Sequence, residues 1–306
     1  MNEYTIIKEL ESVMDYDAYL VKDQQGSEFY MRMYNVPKAS DIHLLSNWKE
    51  MFEEMVFDIS NSANAYLRSV IDGGFDKSKK KPYAVFEVLP DKTLESIVSE
   101  IDSLGEENTM KICQSILKAL CSLRERGLVH SLVSPSKVVH KGASSEVTWV
   151  LDWDPMRSFF CKFHVAKPVS DKFSAPEIEG GVRASVRSDI YSVGKILQYC
   201  VGKNSLNSEL QDWVELATSI SPINRHRNPK HALNLLSAED IEKTPMQVEL
   251  REQPETTDVS LDLEQLPQKL SPEEETSLQT GNLRKENILR DVVLKVKSRM
   301  GKGPKP

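Results

Sequence analysis

Residues 127–154, GLVHSLVSPSKVVHKGASSEVTWVLDWD, constrain the fold of this 306-residue chain more than any other stretch. Just before them Met110, Cys113, Ile116, Leu117, Leu120 and Leu123 recur at three- and four-residue steps, which predicts a long amphipathic helix over 106–126. Gly127 follows as a natural stop, because glycine takes the left-handed backbone that ends helices without a Cβ penalty. Beyond it lie two short β-like apolar pieces, Val138-Val139 and Thr148 to Leu151, joined by a polar turn. Each piece delivers polar residues to its end.

Two further segments come downstream, Ser174-Ala175-Pro176-Glu177 and Ser188-Asp189-Ile190-Tyr191-Ser192-Val193-Gly194. In this order the pieces resemble the protein-kinase superfamily, in which a catalytic loop H-R-D-L-x-x-x-N precedes D-F-G and then A-P-E. The resemblance covers roughly residues 4–237 and rests on the ordered set, since each motif alone is degenerate. It implies an α+β, two-lobed protein-kinase-like fold: a small antiparallel β N-lobe with a helix of the αC type, and a mainly helical C-lobe. Residues 1–90 are expected to form the N-lobe and hinge, and 91–237 the C-lobe.

In the N-lobe, Tyr19-Leu20-Val21 and Phe29 to Tyr34 flank a turn at Asp23-Gln24-Gln25-Gly26, a hairpin signal. The resemblance places the glycine-rich phosphate loop of kinases on Glu11 to Ala18. That stretch has no glycine and carries three carboxylates where a polyanion would lie, and like charges oppose binding. The lysine of V-A-I-K corresponds to Arg32, a planar fork in place of a compact ammonium; a one-residue slip would put Met33 there. Trp48, Met51, Phe52, Met55, Val56 and Ile59 predict a helix over 47–67, capped at Ser46-Asn47. Its glutamate partner for Arg32 falls at Glu53 or Glu54, with Glu54 favoured by counting back from Val70. The other reading is a solvated helix face. A lysine-rich turn at 74–82 leads to Tyr83 to Pro90, which resembles the strand and hinge where kinases grip adenine. On that match Phe86 is the gatekeeper and Glu87 to Leu89 the hinge backbone.

The loop itself keeps its scaffold and loses its chemistry. His130 and Pro135, structural in the family, are present. The aspartate that accepts the substrate's hydroxyl proton corresponds to Leu132, which accepts nothing. The lysine that meets the γ-phosphate corresponds to Ser134, and the metal-binding asparagine to Lys137, a cation where a cation should bind. The D-F-G match is Asp152-Trp153-Asp154. Asp152 keeps the metal-binding carboxylate and Asp154 replaces a glycine. The two carboxylates suit either a hard cation or local turn chemistry. Pro155 to Ser174, with Phe159, Phe160 and Phe163, reads as a packed connector. Glu177 is expected to pair with Arg225 of the late P-x-x-R piece, and Asp189 and Gly194 to tie the core helix of the C-lobe to the loop.

Composition narrows the function. A net charge of −7 argues against general nucleic-acid binding. No apolar run approaches the roughly 18–20 residues of a membrane helix, and Met1 to Lys8 is polar, without a secretory pattern. The cysteines at 113, 121, 161 and 200 form no C-x-x-C pair, which suits reduced thiols and a cytoplasmic location. Residues 238–281 are acidic, proline-bearing and poor in aromatics, a disordered linker by composition. Residues 282–306 form a basic amphipathic helix and tail, with Leu289, Val292, Val293, Val296 and Met300 opposite Arg290, Lys295, Lys297 and Arg299. Such a helix docks on a protein partner, on the chain's own C-lobe or on a membrane surface; the lack of Trp and Phe on its apolar face disfavours the membrane. The functional expectation is a pseudokinase: a catalytically impaired scaffold or regulatory binding module that requires no cofactor. The alternative is a nucleotide-dependent transferase, moving a phosphoryl or nucleotidyl group with ATP and Mg²⁺ at a rearranged site around Asp152.

Overall fold

Strict alternation along β3 (Glu28–Tyr34) sends Met31 and Met33 to one face of a sheet and Tyr30, Arg32 and Tyr34 to the other. The computed structural model containing this strand describes residues 3–237 apart from 11, 14, 39, 40, 63, 102, 143–148, 165–168, 203 and 205. The chain divides into two compact units, Met1–Met246 and Gln247–Pro306. The expected linker at 238–281 and helix at 282–306 lie outside the described residues.

The sheet is antiparallel and five-stranded, with β1 (Thr5–Glu9), β2 (Tyr16–Lys22), β4 (Val70–Asp76) and β5 (Lys81–Phe86) in the order β1-β2-β3-β5-β4. Its outer face buries Val21, Met31, Met33, Tyr83 and Val85 under Tyr4, Tyr19 and Phe29. Its inner face packs on α1 (Trp48–Ser60), which turns Trp48, Phe52, Met55, Val56 and Ile59 inward. The contact is close at Gly73, where a Cβ would meet Val56 Cγ1 at 2.6 Å and the Tyr83 carbonyl oxygen at 2.8 Å.

Helix α1 departs from expectation at both ends. Asn47 sits at the N-terminal cap position, but its side chain makes no capping bond. The helix stops at Ser60 instead of running to Leu67, because its last residues carry side chains that compete for the backbone. The Ser60 hydroxyl and the Asn61 amide donate to the Phe57 carbonyl, and the Ser62 hydroxyl donates to that of Ile59.

The C-lobe is built on α3 (Glu106–Glu125), whose Ile112, Cys113, Ile116, Leu117, Leu120 and Leu123 are buried. It ends at Gly127 with φ +66°, the backbone the sequence implied. Around it stand α2 (Leu94–Glu100), α4 (Pro155–Lys162), α5 (Pro176–Glu179), α6 (Val186–Val201), α7 (Ser208–Ala217) and α8 (Pro229–Leu236). The two short pieces pair antiparallel as β6 (Val138–His140) and β7 (Trp149–Leu151). All four cysteines are free. Among the described residues no helix is long and apolar enough to cross a membrane.

Candidate functional site

Arg32 is the point where the lobes are tied. Its register neighbours on β2 and β5 are Ala18 and Ala84, which leave room for a guanidinium on the inner face. Met33 faces the opposite way, so the one-residue slip does not apply. Arg32 is 2% exposed and donates to Asp152 Oδ2 at 2.6 Å and to the Trp153 carbonyl at 2.7 Å. A second arginine, Arg68, donates to Asp152 Oδ1 at 3.2 Å. It also donates from Nη2 and Nε to the Glu87 carbonyl, at 2.8 and 3.2 Å. Lys137 Nζ stands 3.7 Å from Asp152 Oδ2. Both guanidiniums lie against aromatic rings, Arg32 at 4.7 Å from the Phe86 centroid and Arg68 at 4.4 Å from that of Tyr30, contacts a desolvated cation favours. Burial pushes the Asp152 carboxyl up, but Arg32, Arg68 and Lys137 outweigh it and hold it well below the usual carboxylate range.

The loop 130–137 fixes Asp152 from below. The His130 ring donates from Nε2 to the Asp152 carbonyl at 2.9 Å and accepts the Leu132 N–H on Nδ1 at 3.3 Å, which sets its tautomer. Burial pushes the imidazole down to about 4, so it is neutral at pH 7. The Lys137 carbonyl accepts the Asp152 N–H at 2.7 Å. From α6, Asp189 accepts the N–H groups of His130 and Ser131 at 2.9 and 2.8 Å. These bonds hold Ser131 at φ +67°, a left-handed backbone that is costly for a residue other than glycine. Gly194 on the same helix touches α7 so closely that a Cβ would lie 2.7 Å from Thr218 Cγ2.

The remaining expected residues fall as follows. Leu132 is half-buried, and Ser134 is buried with its hydroxyl 3.0 Å from that of Ser136. Leu89 is half-buried in the extended segment after β5. Glu54 is exposed on α1 and does not meet Arg32, whose charge is turned to Asp152 instead. Its neighbour Glu53 accepts the Phe75 N–H, bracing β4. On the inward face of α1, Phe52 packs against Phe159 of α4, ring centroids 5.7 Å apart. Asp154 is a helix cap: it accepts the Arg157 N–H and starts α4 with Pro155 in the first turn. Thus the connector after Asp154 begins as a helix. Glu177 and Arg225 meet as a double fork, with 2.7 Å bonds to each carboxylate oxygen.

A Mg²⁺-nucleotide does not fit these residues. Both oxygens of Asp152 accept from guanidiniums, and the Lys137 ammonium stands 3.7 Å from Oδ2. The Glu87 carbonyl on the hinge accepts from Arg68. Among the described residues no cluster of three or more acidic, histidine or cysteine side chains is placed to hold a metal. Arg68 was not singled out by the sequence reading. A signal existed: it is the lone charge inside Tyr66-Leu67-Arg68-Ser69-Val70-Ile71, and a charge that is buried in such a run needs a partner.

No protein-family model matches the chain. It is 24% identical over 159 residues to the probable serine/threonine-protein kinase PknB of Lactococcus lactis subsp. lactis (strain IL1403), covering 48% of this chain and 23% of that protein. The chain therefore spans about a quarter of that relative's length. Among solved structures it is similar to the PknI kinase domain of Mycobacterium tuberculosis, with TM-score 0.56, 16% identity, and 76% of this chain and 94% of that one covered. It is likewise similar to Rad53 1-466 in complex with AMP-PNP, with TM-score 0.57, 15% identity and coverage of 76% and 65%. At such identities the likeness establishes the fold.

Proposed function

The chain has the protein-kinase-like fold, and on that premise we propose that it is a pseudokinase: a binding or scaffold module whose nucleotide cleft is closed by its own side chains. The observation that carries this is the grip of Arg32 and Arg68 on the two oxygens of Asp152. In a phosphoryl-transfer site that carboxylate holds Mg²⁺; here two arginines and Lys137 occupy its surroundings. The replaced proton acceptor at Leu132 supports the same reading, because acid–base groups of this kind contribute roughly 10²- to 10⁴-fold. The competing reading, a transferase built on Asp152, needs that carboxylate free to hold a cation, and its three cationic neighbours count against it.

The test is a phosphotransfer assay with radiolabelled ATP and Mg²⁺ or Mn²⁺, wild type against Asp152→Ala, joined to a melting curve in roughly millimolar ATP, a concentration at which a micromolar binder shifts the transition by several kcal/mol of linkage. The expected result is no label transfer and no shift. Asp152-dependent transfer would overturn the proposal. The partner is proposed to be a protein, engaged through the apolar stripe and basic face encoded by residues 282–306. Deleting those residues should remove it from pull-downs while the melting curve of the remainder is retained.

A further inference from the structure

A cavity of about 280 Å³ lies between the end of α1, the start of β4 and the end of α3. Its apolar wall comes from Ile59, Leu67, Val70 and Leu123. Its polar positions are Ser60, Ser62, Asn64, Arg68, Ser69, Ser122 and Arg126, and its described lining contains no aspartate or glutamate. The charge in the lining is therefore of one sign. A second cavity of about 250 Å³ on the other side of Arg126 differs in this respect, since Glu54 and Asp58 line it together with Lys162.

The two arginines are held differently. Arg68 is 7% exposed and its guanidinium is anchored on Asp152 and Glu87, so it adds a fixed positive field at the cavity wall. Arg126 donates from Nη1 alone to the Ser122 carbonyl and hydroxyl, at 2.8 and 2.9 Å. Those bonds aim the guanidinium, and its other nitrogens make no hydrogen bond among the described residues. A half-bonded guanidinium beside an apolar wall suits a carboxylate, which it can grip with two parallel bonds. The size is just below the usual range of ligand sites, and suits a molecule of about 8–10 heavy atoms.

We propose that this cavity is a ligand site for a small carboxylate with an apolar body, with Arg126 as the anion-gripping residue and the Ile59-Leu67-Val70-Leu123 wall as the seat of the body. The site shares Arg68 with the cluster around Asp152 but does not depend on whether the chain transfers phosphate.

The full chain is titrated with benzoate and hexanoate, and with benzamide and hexanamide as neutral counterparts, read by saturation-transfer NMR and by the melting temperature. Saturable one-to-one binding is expected for the acids, at least about tenfold tighter than for the amides, the scale of one charge-assisted contact. Arg126→Gln should weaken the acids by about tenfold or more, and Ser122→Phe, which fills the cavity, should abolish binding. Glu54→Gln in the neighbouring groove should leave it unchanged. Far-UV circular dichroism of each free variant checks its fold, and if one of the two cavity variants does not fold, the other decides. The absence of saturable binding up to about 10 mM, equal binding of acids and amides, or indifference of binding to the folded cavity variants would overturn the proposal.

Discussion

Arg32 and Asp152 meet at 2.6 Å with the arginine side chain 2% exposed and the carboxylate also bonded to Arg68. The strand of one lobe and the short β-pair of the other are thereby joined through a buried charge. Removing the carboxylate that both arginines share leaves two buried guanidiniums without their common counter-charge. Asp152→Ala should cost about 3–5 kcal/mol in urea unfolding, whereas Arg32→Met, which removes one of three cations and fills the space with an apolar chain, should cost less. An Asp152→Ala protein as stable as wild type would show that the ion cluster does not hold the lobes.

Arg225 makes five hydrogen bonds, two to Glu177 and one each to the carbonyls of Ser219, Arg187 and Ile220. An ammonium has three donors and no fork. Arg225→Lys should therefore destabilise the protein by roughly 3 kcal/mol despite keeping the charge, measurable as a lowered denaturation midpoint.

Gly73 lies where β4 passes under α1, and a methyl there would press on the Tyr83 carbonyl and on Val56. Backbone cannot step aside as a side chain can. Gly73→Ala should cost about 1–3 kcal/mol, and Gly73→Ala with Val56→Ala should recover only part of it, because the carbonyl contact remains.

Stability should fall in mild acid. Burial pushes His130 and His226 down to about 4, while in the unfolded chain they protonate near 6.5. The stability they contribute is complete above about 6.5 and is lost as pH falls towards 4. Asp189 runs the other way: burial pushes its carboxyl up to about 7 against two backbone donors, so its contribution is lost as pH rises through that value. Between about pH 6 and 4.5 the unfolded chain thus gains two protons that the native state lacks and lacks one that it holds. From these three groups alone, stability should drop by roughly 1.4 kcal/mol per pH unit, and Asp189→Asn should steepen the slope by about as much again while lowering the starting value. Urea midpoints measured across the range give both slopes.

The residues that face a core in a regular period were readable from the chain. The stripe Ile116, Leu120, Leu123 and the stop at Gly127 predict α3, and the alternation Phe29 to Tyr34 predicts β3. Three-dimensional pairings were less accessible. Glu54 stands at a spacing that suits a partner for Arg32, but the face of α1 that turns inward carries Trp48, Phe52, Met55, Val56 and Ile59, and Glu54 is exposed. Asp154-Pro155 carries a start signal for α4, an N-cap followed by proline, which the likeness to a metal-binding motif obscured. Arg68 lies between two elements and has no period at all, so only its chemistry, one charge in an apolar run, could have marked it.

On the proposed reading, Arg68 also makes phosphotransfer hard to install in this cleft. An aspartate at 132 and an asparagine at 137 would restore two reacting groups, yet both oxygens of Asp152 would still be gripped by Arg32 and Arg68. Removing Arg68 first leaves the Glu87 carbonyl and one side of Asp152 without a donor, a loss of fold with no gain in turnover. Each step back is harmful until the others have been taken. On that reading, substitutions taken one at a time do not free Asp152 for a cation.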